Sequence, residues 1–411
     1  MRPEILGLIL AGGKGTRLEP LTKFRSKPAV PFGGRYRIID FVLSNFINSG
    51  IYSLYVLTQF KSQSLTEHIY STYQFGSLIE NQFVTCVPAQ MQEGDHWYEG
   101  TADAIFQNIN LIREKNPYLT AIFGGDHIYR MDVSAMAKYH NEKGADCTIA
   151  AISVPIEEAT EFGVIQVDRD WKIIGFQEKP AEPKSLPNDP TRALVSMGNY
   201  IFNTRELIKN LQEDAINKDS SHDFGKDVLP KMMLEGHLYA YDFNRNMVPG
   251  ATQMEEEAYW RDVGTIDSYF EANMDLRSVS PAFNLYNDEW PIKSRVTNLP
   301  PAKFVHLGPH RTGQAINSIV CEGAIISGAT IKDSIISPNV RINSYSTVDT
   351  CIIMDNVEIG RDCKLKNCII DKNVDIPSGT EIGYDLEEDK KHYTVTESGF
   401  VILEKNRRFL T

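Results

Sequence analysis

Lys14 and Arg17 sit among the closely spaced glycines Gly12, Gly13 and Gly15, in a loop that continues through Thr16 and comes straight after the apolar run Ile5 to Leu10. Glycines let a backbone approach a polyphosphate and turn its N–H groups inward, while the two cations supply positive charge. Lys27, in Lys27-Pro28-Ala29-Val30-Pro31-Phe32, adds a further cation braced by prolines. The loop is not a Walker A motif, because no Gly-Lys-Ser/Thr follows at the required spacing. Nor is it the dinucleotide fingerprint, because Leu18 stands where the last glycine should fall.

A triphosphate site needs a divalent cation, and Mg²⁺ takes hard oxygen ligands, commonly one or two carboxylates plus the substrate phosphates. Asp126 follows an apolar strand and two glycines; Asp262 lies in Tyr259-Trp260-Arg261-Asp262-Val263-Gly264-Thr265. Either aspartate alone is an ordinary helix cap or turn residue, but together they can hold the metal. Glu178-Lys179-Pro180, after the strand-like Ile173-Ile174-Gly175-Phe176, directs an acceptor and a cation into a cleft. Glu161-Phe162-Gly163-Val164 and Ser196-Met197-Gly198-Asn199-Tyr200 suggest the rest of a seat for a phosphorylated small molecule. Charge clamps, a divalent metal and a rigid seat for an attacking phosphate make up Mg²⁺-dependent nucleotidyl transfer to a phosphorylated small molecule.

The elements that must position these residues alternate between strand and helix up to about residue 275. Asp40 to Gly50 reads as a helix capped by Asp40, with Val42, Leu43, Phe46 and Ile47 on one face and Gly50 as its stop. Leu54 to Leu57 and Ala121 to Phe123 read as buried strands, and Asp132 to Glu142 as a second capped helix. This alternation predicts an α/β, Rossmann-like domain with a mostly parallel sheet, its ligands at the carboxyl ends of the strands. The expected boundaries are 1–278 for this domain, 279–312 for a proline-punctuated linker and 313–411 for a C-terminal domain.

Beyond the linker lies an internal repeat. Ile319, Ile336, Ile353 and Ile370 recur every 17 residues, as do Ile325, Ile342, Ile359 and Ile376, and Ile331, Val348, Leu365 and Ile382. Asn339, Asn356 and Asn373, each followed by valine, mark one corner of successive coils, and Ser334, Cys351 and Cys368 stack in register. Steps of six, six and five with one aliphatic per face describe a three-sided, left-handed parallel β-helix. No histidine lies between His310 and His392, so this part lacks the base an acyltransferase would need, and oligomerisation or regulation is expected of it.

With Phe32-Gly33-Gly34-Arg35-Tyr36-Arg37-Ile38-Ile39-Asp40-Phe41 added, the chain resembles the sugar-nucleotide pyrophosphorylases, and within them the glucose-1-phosphate adenylyltransferase branch. The resemblance implies ATP and α-D-glucose 1-phosphate as substrates, ADP-glucose and pyrophosphate as products, Mg²⁺ as cofactor, and a homotetramer. Arg17 and Lys27 match the family's triphosphate clamps, and Asp126 and Asp262 its metal-binding pair. Gln90, in Pro88-Ala89-Gln90, and Gly100 look like its base-reading elements; Tyr98, Gly163, Glu178, Lys179 and Ser196 match its sugar-phosphate contacts. Gln59 and Trp97 match positions that couple effector and substrate sites. A lysine that helps bind a phosphorylated activator in enteric members is replaced here by Phe24. Arg25, Arg37, Lys364, Lys366 and Lys372 remain as candidate effector contacts. A pyrophosphorylase for another nucleotide or sugar is the nearest alternative, and a catalytically dead regulatory partner the next. Retention of Arg17, Lys27, Asp126, Lys179 and Asp262 argues against the latter.

Composition agrees with a multidomain globular protein: 411 residues, 42% hydrophobic and 23% charged. A net charge of −12 argues against nucleic-acid or anionic-membrane binding. Six cysteines without a Cys-x-x-Cys pair indicate neither a zinc site nor a disulfide framework. The N-terminus lacks a signal-peptide core, and the expected location is cytoplasmic.

Overall fold

The core of the first sheet is four parallel strands in the order Leu119–Gly124, Ile5–Leu10, Ser53–Thr58, Phe83–Pro88. The computed structural model describes residues 4–75, 80–91, 95–251 and 258–409. The long strand Arg192–Asn203 joins the sheet antiparallel and shifts register between Ser196 and Tyr200. It carries Gly163–Val167, Ile173–Glu178 and Cys147–Pro155, and Leu238–Asp242 completes the nine strands. The expected mostly parallel sheet therefore continues beyond Leu119–Gly124 through antiparallel pairings, with Leu238–Asp242 again parallel to Cys147–Pro155. One face buries Val42, Phe46, Val56 and Phe123, the other Leu6, Leu8, Ile105 and Phe202, so both faces are covered.

Asp132 caps the helix Val133–Lys143 as expected, its Oδ1 accepting from the Ser134 and Ala135 amides, and Gly144 at φ +56° ends it. The helix expected from Asp40 runs instead over Ile38–Asn48 with Arg37 at the cap. Asp40 lies one turn inside, where its carboxylate reaches back to the Arg37 amide at 2.9 Å. The same buried carboxylate accepts from His68, Tyr73 and Ser294. That last contact ties down the irregular segment after the catalytic domain, as do Lys293 against Ser44 and Pro291 against Asn48.

Coil pairing begins at Lys303–Val305, which lies parallel to Ile325–Ser327, ahead of the expected start at 313. The three ladders then run as read from the repeat, with Ile336, Ile353 and Ile370 on one face. Ile342, Ile359 and Ile376 line the second, and Ile331, Val348, Leu365 and Ile382 the third. The leading members differ: Val320 faces Ile336 and Ile326 faces Ile342, so Ile319 and Ile325 are not the inward residues. The corner between Ile326 and Ile331 is one residue shorter than its counterpart between Ile342 and Val348, closing on Gly328 at φ +68°. Asn339, Asn356 and Asn373 take φ of +59°, +59° and +58°. Their amides bond in a row at 2.9 and 3.0 Å, and the row continues to Asn406. Cys351 and Cys368 are buried small core residues with their sulfurs 3.3 Å apart.

One face of the β-helix packs on the catalytic domain. Ile352, Met354, Ile369 and Ile402 join Leu18, Phe32, Phe41 and Phe270 in one cluster, and Phe400 stacks on Phe270 at 4.1 Å. Arg25 Nη2 donates to both oxygens of Asp371 across this seam, both residues being almost wholly buried. Among the described residues no helix is long and apolar enough to cross a membrane.

Candidate active site

Strand ends converge on a cleft of about 400 Å³. After Ile5–Leu10 the chain turns through Gly15, at φ +63°, where a side chain would press on Lys27 and Thr22. Thr22 donates back to the Gly15 carbonyl at 2.8 Å, so the glycine loop and the Lys27 segment are one packed unit. Across the sheet, Leu119–Gly124 ends at Gly125, where any side chain would strike Ile39, and this close packing sets Asp126 at the rim. His127–Tyr129 then pairs antiparallel with Trp260–Asp262, placing Asp262 opposite His127.

The result is a compact charge cluster. The Lys27 ammonium bridges Asp262 Oδ1 at 2.6 Å and Asp126 Oδ2 at 3.1 Å. Arg17 donates to Glu161 at 2.9 Å and lies 3.8 Å from Asp262. Burial pushes the Asp126 carboxyl up, but the Lys27 ammonium and His127 outweigh it and hold it below the ordinary carboxylate range. Burial likewise opposes the Lys27 charge, and Asp126 and Asp262 overcome it, so the ammonium titrates above its ordinary value. The Asp126 shift contributes stability above pH 3.8, lost as pH falls below it; the Lys27 shift contributes below pH 10.5, lost as pH rises past it. At neutral pH Lys27 and Asp126 are therefore both charged.

Asp126, His127 and Asp262 offer ligand atoms within 4.8 Å of one another. Two carboxylates and an imidazole suit a divalent cation, and His127 Nε2 lies 3.7 Å from Asp126 Oδ1 and 3.8 Å from Asp262 Oδ1. The donor set therefore fits a divalent cation.

The structure gathers most of the sequence candidates around this cleft: Gly13, Gly15, Arg17, Lys27, Asp126, Gly163, Glu178, Lys179, Ser196 and Asp262 all line it. Lys179 holds φ +44°, a left-handed conformation uncommon for a residue with a side chain, and its amide donates to the Phe162 carbonyl. Burial raises the Glu178 carboxyl pKa, Asp223 adds to the rise, and Lys179 and Lys226 only partly offset it. Gly12, Thr16, Gln90, Tyr98 and Gly100 are not among the lining residues. Gly12 packs on Gln59, whose amide holds Tyr98 by its backbone, while Trp97 stands half exposed beside it. Tyr98 accepts from Asn108 at 2.8 Å, and Gln90 lies past the end of its strand. Gly100 has a packing reason to be glycine, since a side chain there would meet the His222 carbonyl.

Sequence reasoning passed over His127, Trp260, Thr101, Asp223 and Gly225, all of which line the cleft. His127 was readable as a ligand from its place beside Asp126. Asp223 and Gly225 lie in a single π-helical turn, Phe224–Val228 and its cap, which has no periodic signature.

The effector candidates do not form one pocket. Arg25 is consumed by Asp371, and Lys364 and Lys366 lie on a face of the β-helix turned away from the seam, Lys364 pairing with Glu381. Arg37 and Lys372 do meet, lining an interdomain cleft with Arg35 and Arg295. Burial lowers the pKa of both Arg37 and Lys372, with Asp355 opposing it in each case.

Residues 6–279 match the nucleotidyl transferase family model, and residues 300–403 match the GlmU-like C-terminal hexapeptide model. A glucose-1-phosphate adenylyltransferase of Thermus thermophilus is 56% identical over the whole of both chains. The chain belongs to the glucose-1-phosphate adenylyltransferase family. Further members with that name are 51% identical in Deinococcus radiodurans, over the whole of both chains, and 49% identical in Vibrio parahaemolyticus, over 98% of both. Both architectural halves of the adenylyltransferase are thus present here, the nucleotidyltransferase domain with its charge cluster and the β-helix packed against it.

Proposed function

We propose that this chain transfers the adenylyl group of ATP to α-D-glucose 1-phosphate, forming ADP-glucose and pyrophosphate for α-glucan synthesis. The observation that carries this reading is the Lys27 ammonium held between Asp126 and Asp262 in the same cleft as Glu178 and Lys179. The attacking group, a sugar-phosphate oxygen, is already an anion, so no protein nucleophile or general base is required. Asp126 and Asp262 would hold Mg²⁺, which would supply positive charge against the triphosphate. Arg17 and Lys27 neutralise the departing pyrophosphate, and Lys179 holds the attacker in line. Glu178 accepts from sugar hydroxyls, Gly163 leaves room for the backbone to approach, and Gln90 and Gly100 read the base. Incubation with Mg²⁺, glucose 1-phosphate and each nucleoside triphosphate in turn tests this: pyrophosphate is expected with ATP. Release with a different triphosphate alone, or with none, overturns the reading.

Lys179 lines the cleft from a left-handed backbone conformation. K179A is expected to raise KM for glucose 1-phosphate by roughly 10- to 100-fold, the value of a charge-assisted contact to phosphate, with KM for ATP little changed. Equal losses for both substrates in steady-state kinetics would contradict the assignment.

Assembly and control belong to the same proposal. The first strands of the β-helix, Lys303–Val305 and Gln314–Ile316, leave an edge with Phe304, Leu307 and Ile316 exposed, which supports self-association. A cytoplasmic homotetramer is expected, and a monomeric mass by light scattering at micromolar concentration contradicts it. With Phe24 in place of a lysine and only Arg37 and Lys372 of the candidates meeting in the interdomain cleft, activation by fructose 1,6-bisphosphate is expected to be weak. Initial rates at subsaturating ATP check this, and strong activation at micromolar effector would contradict it.

A further inference from the structure

We propose that Thr101 is a positioning residue whose hydroxyl latches the start of the nucleotide-side helix to the turn that packs against the sugar-side carboxylate of Glu178. The proposal deepens the reading of the cleft given above and rests on it.

Thr101 opens the helix Thr101–Phe106, directly after Gly100 and the Trp97-Tyr98 segment. Its Oγ1 donates to Asp223 Oδ2 at 2.9 Å and accepts from the Phe224 amide at 3.0 Å. One hydroxyl therefore donates and accepts across a sequence gap of more than a hundred residues. The joint is reinforced from the backbone: the His222 carbonyl accepts from the Ala102 amide at 2.8 Å and the Asp103 amide at 3.2 Å. These are orphan donors of the helix's first turn, so a distant turn completes the cap that Gly100 cannot supply. His222 reaches this position at φ +55° and is held there by its Nδ1 against Asp214 at 2.8 Å.

The latch transmits to the sugar side through three further contacts. Asp223 Oδ1 accepts from the Gly225 amide at 2.9 Å and the Lys226 amide at 3.2 Å, which fixes the turn. Gly225 in turn leaves the space that Glu178 Oε2 occupies, because a side chain at 225 would collide with that oxygen. A displacement of the helix start is thus passed through Asp223 and Gly225 to the carboxylate that faces the sugar. Hydrogen bonds to Thr101 and to the His222 carbonyl, rather than strand pairing, join these two loops. Thr101 touches the cleft but acts through Asp223, so its effect should show in how well one substrate organises the site for the other.

The experiment measures glucose 1-phosphate binding by calorimetry with Mg²⁺, with and without an ATP analogue carrying a methylene α–β bridge, in the parent, T101V and T101S. In the parent, the analogue is expected to tighten glucose 1-phosphate binding. In T101V, which keeps the shape but removes the hydroxyl from the Phe224 amide and from Asp223 Oδ2, that tightening should fall towards a factor of one. KM for glucose 1-phosphate should rise about tenfold, with the melting temperature within a few degrees of the parent. T101S, which restores the hydroxyl, should recover most of the coupling. Undiminished coupling in T101V, no coupling in the parent, or equal loss in T101S and T101V overturns the proposal. A parent that binds neither ligand overturns the functional reading instead.

Discussion

Turnover is expected to fall by about a hundred- to a thousandfold in D126N, with the fold intact. The substitution removes one of two carboxylates that draw positive charge to the cleft and leaves an amide that is a poor ligand for a hard cation. Lys27 keeps its 2.6 Å contact to Asp262, so the loop carrying Arg17 and Lys27 has reason to stay in place. Two measurements separate the chemistry from the scaffold: steady-state rates over a wide range of Mg²⁺, and Mn²⁺ titration followed by electron paramagnetic resonance. Weakened Mn²⁺ binding together with the lost rate fits the assignment. Near-parental turnover at saturating Mg²⁺ refutes it.

The second large effect is on stability. In D371A the Arg25 guanidinium is left buried without its counter-charge, and Arg25 Nη1 already lacks a partner among the described residues. Breaking a buried pair from one side costs roughly 3–5 kcal/mol, most of it the uncompensated charge. Removing both charges with apolar residues of similar volume, R25M with D371L, is expected to be nearly neutral by the same argument. Denaturant unfolding of the single and double variants decides the matter. If D371A unfolds at the parental midpoint, the pair is not what holds the seam. If the double variant is as weak as the single, packing rather than charge is responsible.

Much of this architecture is legible from local signals. Asp126 at the end of an apolar strand, the glycine turn before Arg17, and the 17-residue aliphatic period each depend on neighbours close in sequence. The features that escape depend on pairing at a distance. The ribbon that sets Asp262 opposite His127 joins residues far apart, with a strand of only three residues on each side. The first β-helix coil is misaligned by its aliphatic period because Ile319 and Ile325 are aliphatic too, and one missing residue at a corner reverses which of two adjacent apolar residues faces inward. The helix from Ile38 starts earlier than its sequence suggests because an aspartate reads as a cap, whereas Asp40 is the reciprocal member one turn in. Arg25 reads as an available anion contact, since nothing near it in sequence shows that Asp371 has already claimed it.

The aliphatic pairs Ile352-Ile353, Ile369-Ile370 and Ile402-Leu403 each place one residue in the β-helix interior and its neighbour against the catalytic domain. On the second face the later coils carry a polar outward neighbour instead, in Arg341-Ile342, Glu358-Ile359 and Asp375-Ile376. Recombination therefore cannot trade this β-helix for another by matching the inward period alone. An incoming coil with polar outward residues on that face would leave Leu18, Phe32 and Phe270 against charge, and a catalytic half on its own would carry an apolar strip into water. The two halves are thus complementary along one strip, and the doublets mark the face by which this β-helix meets its catalytic domain.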